Sequence, residues 1–286
     1  MPRSRTAPGA LRTSANCMTF RWKANRLPFV LIASAALRVR AVAAVVRLVE
    51  APALSPPALS IIVPALNEAD GIAATLEPLQ CARGTLAEII VVDGGSTDAT
   101  AAEAGPLADV VLLCGRGRAL QMNAGAAKAQ GNLLLFLHAD SHLAGAHVER
   151  LVTHWRAVRA QGHPLWGRFD IEFDDAAGLL RLTQWLINGR SRMTGIATGE
   201  QAIFVDCELF ARCGGFAEIP LMEDVALSKF LRGVTRPLCL HEKVTTSSRR
   251  WRKHGVLRTI ILMWFLRAAY ALGAPPSWLK RRYLDH

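Results

Sequence analysis

The sequence lacks the features that would indicate a disulfide framework or a structural zinc site. Its six cysteines are scattered along 286 residues without a C-x-x-C pair, whereas sites of both kinds need a recognisable cysteine spacing. We therefore expect free thiols in a reducing compartment. With 51% apolar and 20% charged residues, the composition also excludes intrinsic disorder and fibrous repeats, and the length predicts one large domain or two small ones.

Long hydrophobic runs are also missing, since no stretch approaches the ~18–20 apolar residues that a membrane-spanning helix needs. Two shorter stretches remain, at residues 27–37 and 259–266. The first follows a basic segment and fits a signal peptide, an interfacial basic helix or a simple extension, the last being favoured. The second, between Arg258 and Arg267, fits a helix docked in the core better than one against a membrane.

Positive charge is unevenly distributed along the chain. The formal net charge is +11, a value that by itself favours a nucleic-acid partner. Residues 1–57 hold +8 of that excess, and +3 remains for all the rest. The sequence thus divides into a basic N-terminal extension (1–57), predicted to be disordered or an interfacial helix, and a nearly balanced domain (58–286) for which we expect no nucleic-acid partner.

Continuous apolar segments alternate with predicted helices in the first half of this domain. They are LSIIV at 59–63, EIIVV at 88–92, DVVLL at 109–113 and NLLLFL at 132–137. The pattern is typical of parallel strands covered by helices on both faces. Ligands bind such sheets beyond the carboxyl ends of the strands, where Glu68, Asp93 and Asp140 stand.

The second half of the domain is less regular. Asp206 is expected to cap a short helix that ends at two glycines. We predict strands at 166–173 and 238–245, a loop and strand within 199–205, and helices at 144–159, 177–188, 223–231 and 255–272.

Ordered motifs extend over most of the domain. They are VPALNE at 63–68, VVDGGSTD at 91–98, HAD at 138–140, GEQ at 199–201, MEDV at 222–225 and SRRW at 248–251. In order and spacing they resemble family 2 inverting glycosyltransferases, and among these the small bacterial radical-SAM/selenodomain-associated subgroup. The resemblance covers roughly residues 59–286.

The resemblance implies an α/β fold of the GT-A type, with a mostly parallel central sheet and helices on both faces. A nucleotide-sugar-binding half (58–143) would precede an acceptor half with a C-terminal helix (144–286). The implied function is an inverting, metal-assisted transfer of a sugar from a nucleotide-diphosphate sugar to an acceptor hydroxyl. We expect a cytoplasmic enzyme, with peripheral association at the inner membrane face and a lipid-linked acceptor as further hypotheses.

Donor binding is expected to involve the first two motifs. Asp93 stands where a strand opens into a glycine turn, so its carboxylate can accept hydrogen bonds from a ribose or a base, and Glu68 can act in the same way. A purely structural role as turn and N-cap residues is the other explanation for Asp93 and Asp98. Arg118, Gln121 and Asn123 belong to a stretch that resembles the subgroup, and we expect them to line the nucleotide pocket.

The HAD motif takes the place of the D-x-D motif of the family. Residues two apart in an extended segment point the same way, so His138 and Asp140 are predicted to face one divalent cation, Mn²⁺ or Mg²⁺. Asp140 is the expected ligand, and His138 a second ligand or a donor to the diphosphate. His142 completes an H-x-D-x-H string, which makes zinc an alternative that we disfavour.

The remaining motifs supply the candidate base and cations. The resemblance implies that Asp224 is the general base, with Glu223 as the alternative, although acids also favour a helix N-terminus for electrostatic reasons. Paired arginines, Arg249 and Arg250, can hold a diphosphate, and Trp251 offers a stacking face. The glutamine that precedes this R-W pair in the family is absent here.

A nucleotidyltransferase is the main alternative function. Such an enzyme would need a glycine-rich phosphate loop after the first strand. The chain has VPALNE at that position, without glycine, which favours the glycosyltransferase. The two reactions also differ in product, because a nucleotidyltransferase releases pyrophosphate and the glycosyltransferase a nucleoside diphosphate.

Overall fold

The computed structural model describes residues 56–284, apart from the side chain of Arg250. The predictions for the extension 1–57 and for the apolar stretch 27–37 therefore lie outside the described residues, except at Pro56 and Pro57. Within the described part of the chain, no helix has the length and apolar content needed to cross a bilayer.

One eight-stranded sheet organises the described residues, and its order is β3-β2-β1-β4-β7-β6-β8-β5. Strands β1 to β4 pair in parallel, β7 is antiparallel to β4 and β6, and β8 is parallel to β6. The predicted mostly parallel sheet is therefore confirmed. In chain order the strands are β1 (Leu59–Ala65), β2 (Ala87–Asp93), β3 (Val110–Leu113), β4 (Leu133–Phe136), β5 (Ser141–His142), β6 (Trp166–Phe173), β7 (Ile203–Asp206) and β8 (Leu238–Thr246).

Helices cover both faces of the sheet. The described helices are α1 (Ala69–Leu76), α2 (Thr100–Ala104), α3 (Arg118–Ala126), α4 (Gly145–Ala160), α5 (Leu179–Thr194), α6 (Cys207–Arg212), α7 (Glu223–Val234), α8 (Arg249–His254), α9 (Val256–Ala271) and α10 (Pro276–Leu284).

Alternate residues of the central strands enter two separate cores, which explains their continuous apolar sequences. Ile61 and Val63 of β1 pack in the core that also contains residues of α1 and α4. Ile62 packs in the opposite core, with residues of α3, α6 and α7. The sheet is thus buried on both sides, and its carboxyl-terminal edge is left for the loops that carry the motifs.

The structure corrects several details of the second half. Helices α8 and α10 were not predicted, because 249–254 was interpreted as a binding motif and α10 begins directly at a proline, which suits a first helical turn. Helix α5 extends beyond its predicted end to Thr194. Asp206 precedes α6 but does not cap it with its side chain; its carboxylate accepts hydrogen bonds from Trp155 Nε1 and the Leu165 amide instead.

Candidate active site

Asp93 ends β2, and its carboxylate closes the turn that follows. The Ser96 amide donates to Asp93 Oδ1 over 3.1 Å, and the Ser96 hydroxyl donates to the same oxygen. The loop after β1 joins this turn, because the Asn67 amide donates to Ser96 Oγ and Asn67 Oδ1 accepts from the Thr97 amide, both over 2.9 Å. The ends of β1 and β2 thus form one hydrogen-bonded edge, at which the contact of Asp93 with a nucleoside stays a prediction.

Glu68 lies at the same edge, among other acids. Its Oε2 atom is 3.7 Å from Arg249 Nη2. Burial raises the pKa of Glu68, the negative charge of Asp140 raises it further, and the Arg249 guanidinium lowers it in part. The structure therefore brings together Glu68, Asp140 and Arg249, three residues that came from three separate motifs.

A pair of acids begins α7. Glu223 is buried and Asp224 half-buried, and burial raises the pKa of both. The Asp224 carboxylate accepts hydrogen bonds from the Gly199 amide over 2.9 Å and from the Val225 amide over 2.7 Å. These bonds fix Asp224 against the turn at Gly199–Gln201 and so join α7 to the chain that leads into β7.

His138 lies next to this acid pair. Its side chain is buried, and Nε2 has no hydrogen-bond partner among the described residues. Burial and the nearby Arg118 cation hold the pKa of His138 well below its usual range, so the imidazole is neutral. A Cβ atom at Gly199 would lie 2.5 Å from His138 Nε2, which shows how closely the ring packs against this backbone.

The chain turns between His138 and Asp140, and this corrects the prediction of an extended segment. The Ser141 amide donates to the His138 carbonyl over 3.1 Å, as in a β-turn. His138 lines the cavity beside Asp224, whereas the charge of Asp140 acts on Glu68. The structure thus gives the two side chains different neighbours.

The zinc alternative finds no support. His142 Nδ1 is 3.0 Å from the Ala74 carbonyl oxygen, and this side chain borders a different surface pocket from His138. Within residues 56–284, no group of three His, Cys, Asp or Glu side chains is arranged to hold a metal ion.

Two arginines face the acid pair, and the sequence indicated only one. Arg118, at the start of α3, lowers the pKa of Glu223 and Asp224 through its charge. Arg190 on α5 was missed: burial lowers the pKa of its guanidinium, and the charges of Asp224 and Glu200 act in the opposite direction. The sequence held no signal for Arg190, which lies in no motif and beyond the predicted end of α5.

Gln121 and Asn123 differ from the prediction that they line the nucleotide pocket. Gln121 Nε2 donates to the Ala65 and Val92 carbonyls, each over 2.8 Å. Asn123 forms two hydrogen bonds with the backbone of Phe216, of 2.8 and 2.9 Å. Both amides therefore brace the backbone: Gln121 holds the ends of β1 and β2 together, and Asn123 anchors the loop after α6.

Only part of the SRRW motif at 248–251 is exposed for contact with a ligand. Arg249 is exposed and close to Glu68, whereas the side chain of Arg250 lies outside the described residues. Trp251 is buried, with its ring edge-to-face against Phe173 at 5.4 Å between centroids. Trp251 thus packs in the core and also borders the cavity that Asp224 lines, and its stacking on a ligand stays a prediction.

Backbone strain is concentrated around these residues. Three non-glycine residues of the described chain have positive φ: Asn67 (54°), Ala202 (47°) and Met222 (73°). They follow β1, end the Gly199–Gln201 turn and precede Glu223. Asparagine adopts this conformation readily, whereas it costs about 1–2 kcal/mol at Ala202 and Met222, and strain of this kind is typical of functional sites.

Comparisons with known proteins identify the fold. The model of glycosyl transferase family 2 matches residues 60–210, and no curated protein matches the chain. Among solved structures, the chain is similar to TarS from S. aureus in complex with UDP-GlcNAc, with 20% identity and a TM-score of 0.52 over 66% of this chain and 58% of that chain. It is also similar to glucosyl-3-phosphoglycerate synthase from Mycobacterium tuberculosis in complex with phosphoglyceric acid, with 18% identity and a TM-score of 0.50 over 65% and 70% of the two chains.

The chain thus spans less than two thirds of the TarS chain that it matches. At these identities the likeness shows the fold, and the predicted GT-A architecture is confirmed. Membership of the radical-SAM-associated subgroup stays a prediction.

The burial of Glu223 should affect the free energy of unfolding in a way that depends on pH. Its folded-state pKa is raised, so the protonated form stabilises the fold and the ionised form weakens it. We expect Glu223→Gln to increase the free energy of unfolding at neutral pH, because glutamine places no charge at this buried position. The gain should shrink as the pH falls and disappear below about 4, where the carboxyl group is protonated even in the unfolded chain.

Glu242→Gln is the matched control for this experiment. A hydrogen bond from its own backbone and the Arg150 guanidinium lower the pKa of Glu242, so its loss should destabilise the protein at neutral pH. Denaturant unfolding at several pH values measures both variants. Equal stability of Glu223→Gln and the unmodified chain at neutral pH would contradict the burial of this charge.

Proposed function

The chain belongs to glycosyl transferase family 2, and on that premise we propose that it moves a sugar from a nucleotide-diphosphate sugar to an acceptor hydroxyl with inversion at the anomeric carbon. The observation that carries this proposal is the placement of Asp224. Its carboxylate is held by the Gly199 amide and lines a cavity together with His138 and Arg118. A family match thus coincides with an acid whose position and pKa suit proton transfer.

Asp224 acts as the general base in this proposal. A carboxylate removed from water has a raised pKa and accepts a proton more readily than an exposed one. Asp224 would take the proton of the acceptor hydroxyl while its oxygen attacks the anomeric carbon, on the face opposite the leaving diphosphate. Hydrogen bonds from the Gly199 and Val225 amides lower the pKa of Asp224, and the charges of Arg118 and Arg190 lower it further, against the larger effect of burial.

The carboxyl-terminal edge of β1 and β2 binds the donor. Asp93 and Glu68 would hold the nucleoside, and Arg249 the diphosphate, because guanidinium groups form paired hydrogen bonds with phosphate oxygens. Gln121 supports this edge by joining the ends of β1 and β2. Arg250 follows Arg249 directly in the sequence, which makes it a second candidate cation for the same diphosphate.

The proposed cation site at this edge is centred on Asp140. The charge of Asp140 raises the pKa of Glu68, so these two carboxylates share one region, with Arg249 as the nearby cation. Carboxylate oxygens together with substrate phosphates are the usual ligands of Mn²⁺ and Mg²⁺. Asp140 would hold the ion, whereas His138 lines the cavity beside Asp224 instead. When bound, the ion would supply positive charge to the leaving diphosphate.

A panel of nucleotides tests the donor site. We expect one of UDP, GDP and TDP, with Mn²⁺, to raise the midpoint of thermal unfolding, since a ligand at 100 times its Kd stabilises the native state by about 2.7 kcal/mol. Removing Mn²⁺ with a chelator should reduce the shift, and Asp140→Asn should reduce it to the same level. Asp70→Asn, at an exposed acid on α1, is the control and should behave as the unmodified chain; absence of any shift across the panel would contradict the donor site.

Asp224→Asn tests the base. Loss of a general base typically slows turnover by about 10²–10⁴-fold. We expect Asp224→Asn to slow the release of nucleoside diphosphate by that factor, measured with the donor that the panel identifies. The nucleotide-induced shift of the variant should be retained, because Asp224 is not part of the donor edge. Glu223→Gln should lose much less activity; the reverse ranking of the two variants would make Glu223 the base, and pyrophosphate as product would indicate a nucleotidyltransferase.

A further inference from the structure

A cavity of about 680 Å³ opens beside the acid pair and extends between α5 and α9. Asp224 and His138 line its inner end. Large apolar side chains line the outer end, with Trp185 and Met193 from α5 and Trp264 from α9. A molecule that fills this cavity would present a polar group to Asp224 and hydrocarbon to the two helices.

The apolar end of the cavity is open to water. Trp185 is 70% exposed, Met193 88% and Trp264 66%. The same surface continues along α9 with Leu257 and Ile261, which are 60% and 61% exposed. We call these five residues the α5–α9 surface. Large apolar side chains that stay exposed forgo the free energy that their burial would contribute to folding. A contiguous group of them therefore marks a site for a partner, a membrane or a ligand.

The chain that carries much of this surface is cationic throughout. Residues 249–284, which include α8, α9 and α10, contain nine Lys or Arg residues and no Asp or Glu. Arg267 lines the cavity itself, and the Arg282 guanidinium lies 5.6 Å from the centroid of the Trp278 ring. Apolar helical faces with basic and tryptophan flanks bind at the boundary between lipid headgroups and acyl chains, and anionic lipids attract such cations.

We propose that the acceptor is an amphiphilic lipid, whose hydrocarbon lies along the α5–α9 surface and whose hydroxyl-bearing head enters the cavity to reach Asp224. This inference rests on the transferase function proposed above and names the class of its acceptor. The cavity carries the argument, because it connects the exposed apolar side chains directly with the acid that would receive the acceptor proton.

Other occupants of the surface fit less well. A second copy of this chain would bring two segments together that each carry nine cations and no acid, and like charges repel each other. A lipid fits both the charge of the flanks and the acid at the inner end.

Quenching of tryptophan fluorescence tests the contact with lipid. The full chain is mixed with phosphatidylcholine vesicles whose acyl chains carry bromine, which quenches tryptophans that touch it. These lipids are zwitterionic, so the net charge of the basic extension does not drive binding. We expect quenching in the unmodified chain and its loss in the Trp185→Phe/Trp264→Phe variant; no quenching, or quenching that persists in this variant, would overturn the proposal.

A pair of matched glutamate variants tests the location of the contact. Met193→Glu places a charge on the α5–α9 surface and should weaken vesicle binding about tenfold or more, since about 1.4 kcal/mol already gives that factor. Leu113→Glu is the control, because Leu113 is 70% exposed and ends β3, outside the cavity lining. Equal binding of the two variants would contradict the α5–α9 surface as the lipid site, and the thermal unfolding midpoint of each verifies its fold.

Transfer to lipid is tested with donor labelled in its sugar. The full chain is incubated with this donor and a bacterial polar lipid extract, with Asp224→Asn as the blank. We expect label in the organic phase; label confined to the aqueous phase would overturn the lipid acceptor. The nucleotide-induced thermal shift distinguishes the lipid acceptor from the donor site. If nucleotide raises the unfolding midpoint but no label reaches the lipid, the donor site stands and only the lipid acceptor is overturned.

Discussion

Two neighbouring carboxyl groups, Glu223 and Asp224, are held away from water at the first turn of α7, and much of the surrounding structure offsets the cost of that placement. Burial raises the pKa of both acids, which means that their ionised forms weaken the fold at neutral pH. The Gly199 amide, the positive end of the helix and the Arg118 cation act in the opposite direction. Position 199 accepts no larger residue without displacing the His138 ring. The residues around the acid pair therefore stabilise its charge, and in the proposed reaction a base would be obtained at the expense of stability.

The sheet keeps this acid apart from the edge that would hold the donor. Parallel strands β3, β2, β1 and β4 bring their carboxyl ends to one side, where Gln121 ties β1 to β2. The turn after β4 then separates two environments: His138 faces the acids of α7, and Asp140 acts on Glu68. In the proposed reaction a leaving diphosphate and an attacking hydroxyl need separate positions on either side of the anomeric carbon, and the two sides of this short turn would supply them. The cavity between α5 and α9 would extend the proposed acceptor side towards the protein surface.

The architecture was largely predictable from the sequence, because β1, β2 and β4 are buried on both faces and their sequences are continuously apolar. The roles of individual side chains were less so. A motif gives the sequence positions of Gln121 and Trp251 but not the groups that they contact. In the structure, Gln121 donates to two backbone carbonyls, and Trp251 packs against the Phe173 ring. The turn at 138–141 was missed because His138 and Asp140 are two positions apart in the sequence whether the segment is extended or forms a turn. The cavity assembles residues of α5, α7 and α9 that are distant in sequence, so no local pattern indicated it.

The central claim is that Asp224 activates the acceptor for direct displacement of the diphosphate. The anomeric configuration of the product tests this most directly, because a single displacement assisted by a base inverts the configuration of the transferred sugar. NMR coupling constants of the anomeric proton measure it, with a donor of known configuration. We expect the inverted anomer as the initial product of the unmodified enzyme. A product that retains the configuration of the donor would require a different chemistry and would contradict the role assigned to Asp224.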